Sequence, residues 1–253
     1  MTFKDTYKGA EPIRVNKLLA QSGICSRREA EDLLGSGQIR VDGEIVGVGY
    51  KIETGQVLEI LAEGKQALDD KFTIIYHKPI GIVSGQPEKG QVPAIRMINL
   101  TNRWKESDIV PVRDTRIPPV GRLDKDSRGL LILSQDGVLA KAIIGPESMV
   151  EKEYIVKVTG YINAVKLKLL RHGLELDGRK LRPAIVEQIN ENTLNFILQE
   201  GRNRQIRRMC DEVGLEVIDL FRKRIGDIEI GDLPQGKWRA MQANEKRSFL
   251  HKK

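Results

Sequence analysis

A charged loop between two apolar segments carries the residues best suited to chemistry in this chain. It runs from Pro118 to Gly137, and it places Asp124 beside Arg122, Lys125 and Asp126. Loops at strand ends are where proteins commonly build binding and catalytic sites. A carboxylate is anionic at neutral pH and can act as a covalent nucleophile, but a single aspartate is more often a salt-bridge partner. The residue types alone leave both roles open for Asp124.

The sequence lacks the patterns of several other kinds of site. Three scattered histidines and two distant cysteines, Cys25 and Cys210, give no metal-ligand spacing. No G-x-x-x-x-G-K-[ST] phosphate loop occurs, and no G-x-G-x-x-G sequence follows a strand. We therefore expect no metal and no cofactor, with the chemistry carried by ordinary side chains.

Composition favours a folded protein with a polyanionic partner. The 253 residues include 42 Lys and Arg against 35 Asp and Glu, which gives a net charge of +7. Each cation placed on a phosphate releases condensed counterions, although a charge surplus can also serve solubility alone. The chain starts without the apolar core of a secretory signal, has no run long enough to span a bilayer and shows no disulfide framework. We expect a cytoplasmic protein without membrane association.

Residues 13–60 predict a helix pair that leads into a small sheet. Apolar residues at helical spacing from Val15 to Leu19 predict the first helix. Ser26 and Glu29 have the spacing of a capping box, which predicts the start of the second helix. Short alternating strands and the hairpin signal Asp42-Gly43 follow.

Basic residues concentrate where these two helices begin. Arg14 and Lys17 belong to the first helix, and Arg27 and Arg28 open the second. A helix N-terminus favours phosphate through its free amides and its dipole. A solvated helix start is the alternative, but the clustering of the cations favours an anion site.

The sequence RVNKLLAQSGICSRREAEDLLGSGQIRVDGEIV resembles an S4-type RNA-binding domain. Its most specific elements are Asn16-Lys17, Ser26-Arg27-Arg28 and Val41-Asp42-Gly43. The resemblance implies that the helix pair docks on structured RNA. The contact residues that it implies are Arg14, Asn16, Lys17, Ser26, Arg27 and Arg28.

The remainder of the chain predicts a larger α+β domain. Residues 1–12 are predicted as an extension, 61–71 as a polar linker, 72–241 as a domain around a mainly antiparallel sheet, and 242–253 as a loose basic tail. Strands are predicted at 72–76, 130–133, 154–158, 185–189, 194–198 and 217–221, and helices at 137–144, 164–172 and 204–213.

Three ordered motifs in this larger domain carry a second resemblance. Gly121-Arg122-Leu123-Asp124, followed by Ser127 and Gly129-Leu130-Leu131, resembles the catalytic motif of the RsuA-type pseudouridine synthases, the group of RsuA, RluB, RluE and RluF. The strand opening Lys152-Glu153-Tyr154 and the run from Gly201 to Met209 resemble two further motifs of that family, in the same order. The resemblance implies an isomerase that modifies a uridine of ribosomal RNA.

The family resemblance implies a role for each motif residue. Asp124 is the expected nucleophile, and Arg207 is expected to keep it ionised, with Arg204 or Arg208 as alternatives for that charge. Tyr154 is expected to stack on the extruded base and to take part in removing the C5 proton. Arg122 is expected to fill the space that the flipped uridine leaves. The residues expected to contact RNA or assist flipping are Arg122, Lys152, Arg202, Arg204 and Arg208.

Two rival functions use the same features. A non-catalytic RNA-binding or ribosome-assembly protein would retain the basic surface, but it would not need Asp124, Tyr154 and Arg207 together. An RNA glycosylase or hydrolase would release free base. The Lys125-Asp126-Ser127 sequence and the run from Gln205 to Met209 resemble large-subunit more than small-subunit (16S) family members. We expect a monomer whose partner is ribosomal RNA or a pre-ribosomal particle.

The segment between Gln86 and Pro119 is longer than the family pattern. It is predicted to be either a mobile RNA-contacting loop or an insertion. Its cations are Arg96, Arg103, Lys105, Arg113 and Arg116.

Overall fold

The structure is a computed structural model that describes residues 2–109 and 115–250. The predicted cation Arg113 and the last residues of the predicted tail, 251–253, lie outside the described residues. The chain divides into two compact units, Met1–Phe72 with Ser134–Lys141, and Thr73–Leu133 with Ala142–Lys253.

The first unit contains six strands and three complete helices in its N-terminal segment, counted over the described residues. They are β1 (Phe3–Thr6), β2 (Ile13–Arg14), α1 (Val15–Gln21), α2 (Arg27–Gly35), β3 (Ile39–Val41), β4 (Glu44–Ile45), β5 (Lys51–Ile52), β6 (Val57–Ile60) and α3 (Ala62–Asp69). A four-stranded sheet has the order β1-β6-β3-β4, and β2 pairs with β5. The predicted helix pair and hairpin are confirmed.

One apolar core holds this unit together. Val15 and Leu19 on α1, Leu33 on α2 and Ile39 and Ile60 in the sheet are among its buried members. Each such side chain contributes roughly 1.5–3 kcal/mol when it leaves water. This burial, rather than helix propensity, fixes two helices of only seven and nine residues.

The predicted capping box at the start of α2 is present. The Ser26 hydroxyl accepts from the Glu29 amide at 3.4 Å, and the Glu29 carboxylate accepts from the Ser26 amide. The same carboxylate accepts from the Gly137 amide at 2.9 Å and pairs with Lys71 at 2.6 Å. Burial raises the pKa of Glu29, but these hydrogen bonds outweigh it and hold the pKa below its ordinary value of 4.5.

Replacing Glu29 by glutamine is expected to weaken the first unit by about 1–3 kcal/mol at neutral pH, because an amide cannot satisfy all three donors. The pKa of Glu29 is lower in the folded state, so its contribution is present above pH 4.5 and is lost as pH falls through the folded pKa. Hydrogen exchange of the buried α2 amides measures the loss. Glu31→Gln on the same helix, where the carboxylate accepts from Asn16 at 2.7 Å, is the control. An equal difference at pH 7 and pH 3 would contradict the assignment.

Two predictions about the ends of this unit are wrong. The predicted extension 1–12 contains β1, which pairs with β6 along its whole length, because the edge of β6 offers unpaired backbone groups. The predicted linker 61–71 contains α3. Gly64 lets that helix approach Gln38 and Leu33 so closely that an added Cβ would lie 2.8 and 3.1 Å from them. Because α3 packs through the backbone of Gly64 and not through a row of apolar side chains, its sequence shows no helical apolar periodicity.

The second unit surrounds a large sheet. Its strands are β7 (Thr73–Lys78), β8 (Ile82–Val83), β9 (Val92–Pro93), β10 (Pro119–Val120), β11 (Arg128–Ser134), β12 (Lys152–Thr159), β13 (Glu175–Leu176), β14 (Arg179–Lys180), β15 (Ile185–Asn190), β16 (Thr193–Leu198), β17 (Glu216–Ile225), β18 (Ile228–Glu229) and β19 (Trp238–Ala240). The remaining helices of the chain are α4 (Gly137–Ile144), α5 (Ala164–Arg171), α6 (Gln205–Glu212) and α7 (Ala243–Leu250).

The main sheet is mainly antiparallel, as predicted. Its central order is β15-β16-β12-β17-β11-β7-β19, with β10 on β11 and β18 on β17. The pairings of β12 with both β16 and β17 are antiparallel, whereas β11 and β17 are parallel. At that parallel pairing Gly129 has a φ of +115°, and an added Cβ would lie 2.3 Å from the Arg222 carbonyl oxygen. This glycine of the catalytic motif permits the close approach of β11 to β17.

The predicted loose tail is also wrong for the described residues, which form α7. The Glu245 carboxylate pairs with Arg239 at 2.6 Å, and Phe249 is buried against Gly226. Helix α7 is held by one buried apolar residue and one ion pair, so its sequence has no helical apolar periodicity that would predict it. No helix of the described residues is long and apolar enough to cross a membrane.

The described residues of the long segment, 86–109 and 115–119, include local secondary structure. They contain β9 and two short 3-10 helices, Ala94–Met97 and Leu100–Asn102. The buried Trp238 indole donates to the Asn99 carbonyl at 2.7 Å, and the Trp104 amide donates to the Trp238 carbonyl at 2.9 Å. Lys105 lies 4.4 Å from the centre of the Trp104 ring. The segment is therefore anchored to β19 at these points, and the prediction that it is mobile does not hold there.

Candidate active site

A cavity of about 670 Å³ lies within the second unit. Its lining includes Arg122, Asp124, Ser127, Lys152, Tyr154, Arg182, Glu200, Arg202, Arg204, Arg207 and Arg222. The volume suits a nucleotide-sized ligand. The structure thus brings together all three residues that were predicted to be catalytic.

The position of Asp124 is fixed by the backbone on both sides. The buried Ser84 hydroxyl donates to the Leu123 carbonyl at 2.6 Å and accepts from the Leu123 amide at 2.8 Å. On the other side, the Ser127 amide donates to the Asp124 carbonyl at 3.1 Å. The Asp124 side chain is 32% exposed, so a fixed backbone presents an accessible carboxylate.

Arg204 supplies the ion pair that the structure gives to Asp124. Its Nη1 lies 3.7 Å from Asp124 Oδ2, and its guanidinium bonds both oxygens of Asp126 at 3.0 and 2.9 Å. Burial raises the pKa of Asp126, but Arg204 and Arg207 outweigh it and lower the pKa overall. Both carboxylates of the loop therefore face cations.

The contacts of Arg207 do not include the Asp124 carboxylate that it was predicted to hold ionised. It is 9% exposed, and it donates to the Asp126 carbonyl at 2.8 Å, to the Val217 carbonyl at 3.1 Å and to Ser127 Oγ at 3.3 Å. Its closest carboxylate is Asp126, at 3.4 Å, rather than Asp124. Arg207 ties α6 to the loop that carries Asp124, and the alternative cation, Arg204, approaches Asp124 itself.

An unusual backbone conformation aims Arg204 at the loop. Arg204 has a φ of +48° and precedes the first residue of α6. Residues other than glycine rarely adopt this left-handed backbone conformation, and those that do are concentrated at functional sites. The next residue, Gln205, is buried and bonds both the Arg202 amide and Glu200, each at 2.9 Å. These bonds hold the turn in which Arg204 is strained.

The structure assigns local partners to two predicted RNA contacts. Arg202 donates to three backbone carbonyls of the β13-β14 hairpin, at 2.8 to 3.1 Å. Arg208 pairs with the exposed Asp177 through two bonds of 2.7 and 2.9 Å. An exposed pair such as the second exchanges its partner easily, whereas three carbonyl bonds make Arg202 an anchor of the hairpin.

Strand β12 presents Tyr154 and Lys152 on one face. Tyr154 is 9% exposed and lies opposite Arg222 on β17. The Lys152 ammonium donates to the Val150 carbonyl at 2.9 Å. Burial and the charges of Arg222 and Arg182 lower the pKa of Lys152 to about 8.

Sequence reasoning missed four residues near Asp124. Ser84 pins the loop, Arg182 and Arg222 line the cavity, and Lys78 is fully buried with its ammonium bonded to the Pro79 and Ile82 carbonyls. Burial and the charge of Arg222 lower the pKa of Lys78 to about 8 against the attraction of Asp124 and Asp126. Lys78 and Arg222 lie just beyond the predicted strands 72–76 and 217–221, whereas the observed strands β7 and β17 include them.

The two thiols are poor candidates for a nucleophile. Cys25 and Cys210 are buried and free. Burial raises the pKa of each to about 12, so both stay protonated at neutral pH.

The predicted RNA-contact residues of the first unit separate into two groups. Arg14, Lys17, Arg27 and Arg28 are exposed, and among the described residues none of them forms an ion pair. Asn16 and Ser26 instead bond within the unit, to Glu31 and to the capping box. The four exposed cations are the ones available to a phosphate backbone.

Two protein families match this chain. Residues 72–212 match the RNA pseudouridylate synthases, and residues 13–58 match the S4 domain. The chain is 35% identical over 235 residues to the dual-specificity RNA pseudouridine synthase RluF of Salmonella typhi. This match covers 92% of the chain and 76% of the relative. It is 31% identical over 240 residues to ribosomal large subunit pseudouridine synthase B of Bacillus subtilis. That match covers 92% of the chain and 93% of the relative.

A solved structure has the same fold. A crystal structure of a pseudouridylate synthase superposes with a TM-score of 0.64, covering 94% of this chain and 99% of that one at 22% identity. At this identity the similarity concerns the fold alone.

Proposed function

The chain belongs to the RNA pseudouridylate synthase family, and we propose that it isomerises a specific uridine of large-subunit (23S) ribosomal RNA. It is an RNA pseudouridine synthase, an isomerase, and it carries an N-terminal S4 domain. The resemblance to RsuA-type enzymes that the motifs predicted is confirmed. The proposal also includes the identity of the RNA substrate and the roles of the site residues. It further includes a monomeric protein and a cytoplasmic location.

Asp124 is the proposed nucleophile. Its carboxylate forms a covalent adduct with the target nucleoside, and the glycosidic C1′–N1 bond breaks. The uracil turns so that its C5 faces C1′, and a C1′–C5 bond forms. The bond between the nucleoside and Asp124 breaks, which restores the carboxylate, and C5 loses its proton while N1 gains one. Atoms and electrons balance without an external oxidant or donor. The observation that carries this proposal is the accessible Asp124 carboxylate in the same cavity as Tyr154 and Arg204.

The other cavity residues have proposed supporting roles. Arg204 stabilises the ionised form of Asp124, and Arg207 positions the loop that carries it. Tyr154 stacks on the flipped base and takes part in removing the C5 proton. Arg122 is exposed beside Asp124 and enters the space that the uridine leaves in the RNA.

The relatives and the first unit support the proposal that the substrate is ribosomal RNA. One relative is named for the large ribosomal subunit, and the S4 domain carries the exposed cations Arg14, Lys17, Arg27 and Arg28. Two cationic surfaces on one chain match a large structured RNA or a pre-ribosomal particle.

Tritium release from RNA labelled at uridine C5 tests the proposal. We expect release from 23S ribosomal RNA, with 16S ribosomal RNA and tRNA tested beside it under the same conditions. Release from 16S RNA alone would replace the proposed substrate. Free uracil in the products would indicate a glycosylase, and no release from any RNA or assembly intermediate would favour a non-catalytic RNA-binding protein.

A further inference from the structure

Four cations that line the cavity have no acidic partner among the described residues: Arg122, which lies in the Asp124 loop, and Lys152, Arg182 and Arg222. Arg204 and Arg207, in contrast, face the carboxylates of the Asp124 loop. The cavity lining therefore contains both charge-paired and unpaired cations.

Arg222 places a fixed positive charge deep in the wall. It is 3% exposed, its Nε donates to the Leu130 carbonyl at 2.7 Å, and its Nη1 donates to the Arg122 carbonyl at 3.3 Å. Its Nη2 is buried and has no hydrogen-bond partner among the described residues. Carbonyl oxygens orient this guanidinium but do not neutralise it, and an uncompensated buried charge is costly.

Lys152 and Arg182 add two further positive charges to the cavity lining. Lys152 stands on the Tyr154 face of β12, and Arg182 is exposed with its guanidinium 3.3 Å from the Met149 sulfur. Burial lowers the pKa of Lys152, and the charges of both arginines lower it further. Three like charges that repel one another at a ligand cavity are stabilised only when an anion binds among them.

The carboxylate of Glu200 does not supply that anion. It accepts from the Arg182 backbone amide at 3.1 Å and from Gln205, and it pairs with Arg202 at 3.6 Å. Its bonds hold the backbone at the cavity rim, and its ion-pair partner is not one of the three cations.

We propose that Lys152, Arg182 and Arg222 form the binding site for the phosphodiester group next to the target uridine. This inference rests on the proposed function, because Asp124 and Tyr154 place the nucleoside in the same cavity. The ribose and the uracil are neutral at pH 7, so the phosphodiester is the anion that such a nucleotide brings. The carboxylates of Asp124 and Asp126 repel it from Arg204 and Arg207. Arg122 is assigned to the space that the uridine leaves in the RNA, so Lys152, Arg182 and Arg222 are the partners of the phosphodiester.

Binding of a dinucleotide tests this site without requiring catalysis. The probes are UpU and its methylphosphonate analogue, which lacks the phosphodiester charge, titrated into the full chain and followed by NMR. We expect UpU to bind about tenfold more tightly than the analogue, since a charge-assisted hydrogen bond has roughly that effect. Lys152→Met and Arg182→Met should each remove most of this preference. Lys168→Met, at an exposed lysine of α5 outside the cavity lining, should retain it.

Three results would overturn the proposal. The first is equal binding of UpU and the methylphosphonate by the wild type. The second is full retention of the preference in Lys152→Met and Arg182→Met, and the third is an equal loss of the preference in Lys168→Met. Arg182 is exposed, so its variant folds whatever the effect at Lys152. Because neither probe needs to be isomerised, a failure of the tritium assay leaves this result interpretable.

Discussion

Asp124→Asn is expected to abolish tritium release from uridine-labelled ribosomal RNA, with a loss of at least about 10⁴-fold in single-turnover rate. Asparagine has nearly the same shape and keeps the carbonyl oxygen, but it has no negative charge with which to form the covalent adduct. The backbone bonds of Ser84 and Ser127 do not involve the Asp124 side chain, so the loop should keep its position. The loss should therefore appear in the chemical step and not in folding or RNA affinity.

Two controls make this result specific. Thermal unfolding and RNA binding of Asp124→Asn should match the wild type. Asp177→Asn removes an exposed carboxylate of the β13-β14 turn whose partner is Arg208 on α6. It should change the rate by less than about threefold. A variant Asp124→Asn that retains more than a hundredth of the wild-type rate would contradict nucleophilic catalysis by this residue.

Strong local signals in the sequence predicted the parts of the fold that they specify. The capping box at Ser26, the Asp42-Gly43 turn and the helix at 137–144 are present because short-range hydrogen bonds and apolar spacing determine them. Helices α3 and α7 were missed because they have few apolar residues, and tertiary contacts of Gly64 and Phe249 hold them. Local preference is a weak guide where packing decides.

The site shows the same division between local and long-range information. The motif string identified Asp124 and Tyr154, which the structure brings to one cavity. It could not determine which arginine of the run approaches Asp124, because the answer depends on the left-handed backbone of Arg204. Arg222 was missed because the predicted strand ended at residue 221, and its burial follows from the pairings between β11, β12 and β17.

Arg207→Met is expected to reduce both the stability of the second unit and its activity. The variant leaves the Asp126 and Val217 carbonyls without this donor in a part-buried site, which costs about 2–4 kcal/mol. Activity should fall about 100-fold or more, because the loop that carries Asp124 loses its tie to α6 and small displacements of a nucleophile have effects of that size. Urea unfolding and single-turnover tritium release measure the two losses.

Arg204→Met is the matched comparison, since it removes the neighbouring arginine. Arg204 is 43% exposed at its side chain, so stability should change by less than about 1 kcal/mol. Its rate should still fall about tenfold to 100-fold, because Asp124 loses the cation nearest to it. A stability loss in Arg204→Met with none in Arg207→Met would reverse the two roles. If instead Arg207→Met keeps wild-type stability but loses all activity, Arg207 acts directly on Asp124 in the RNA complex, as the family resemblance predicted.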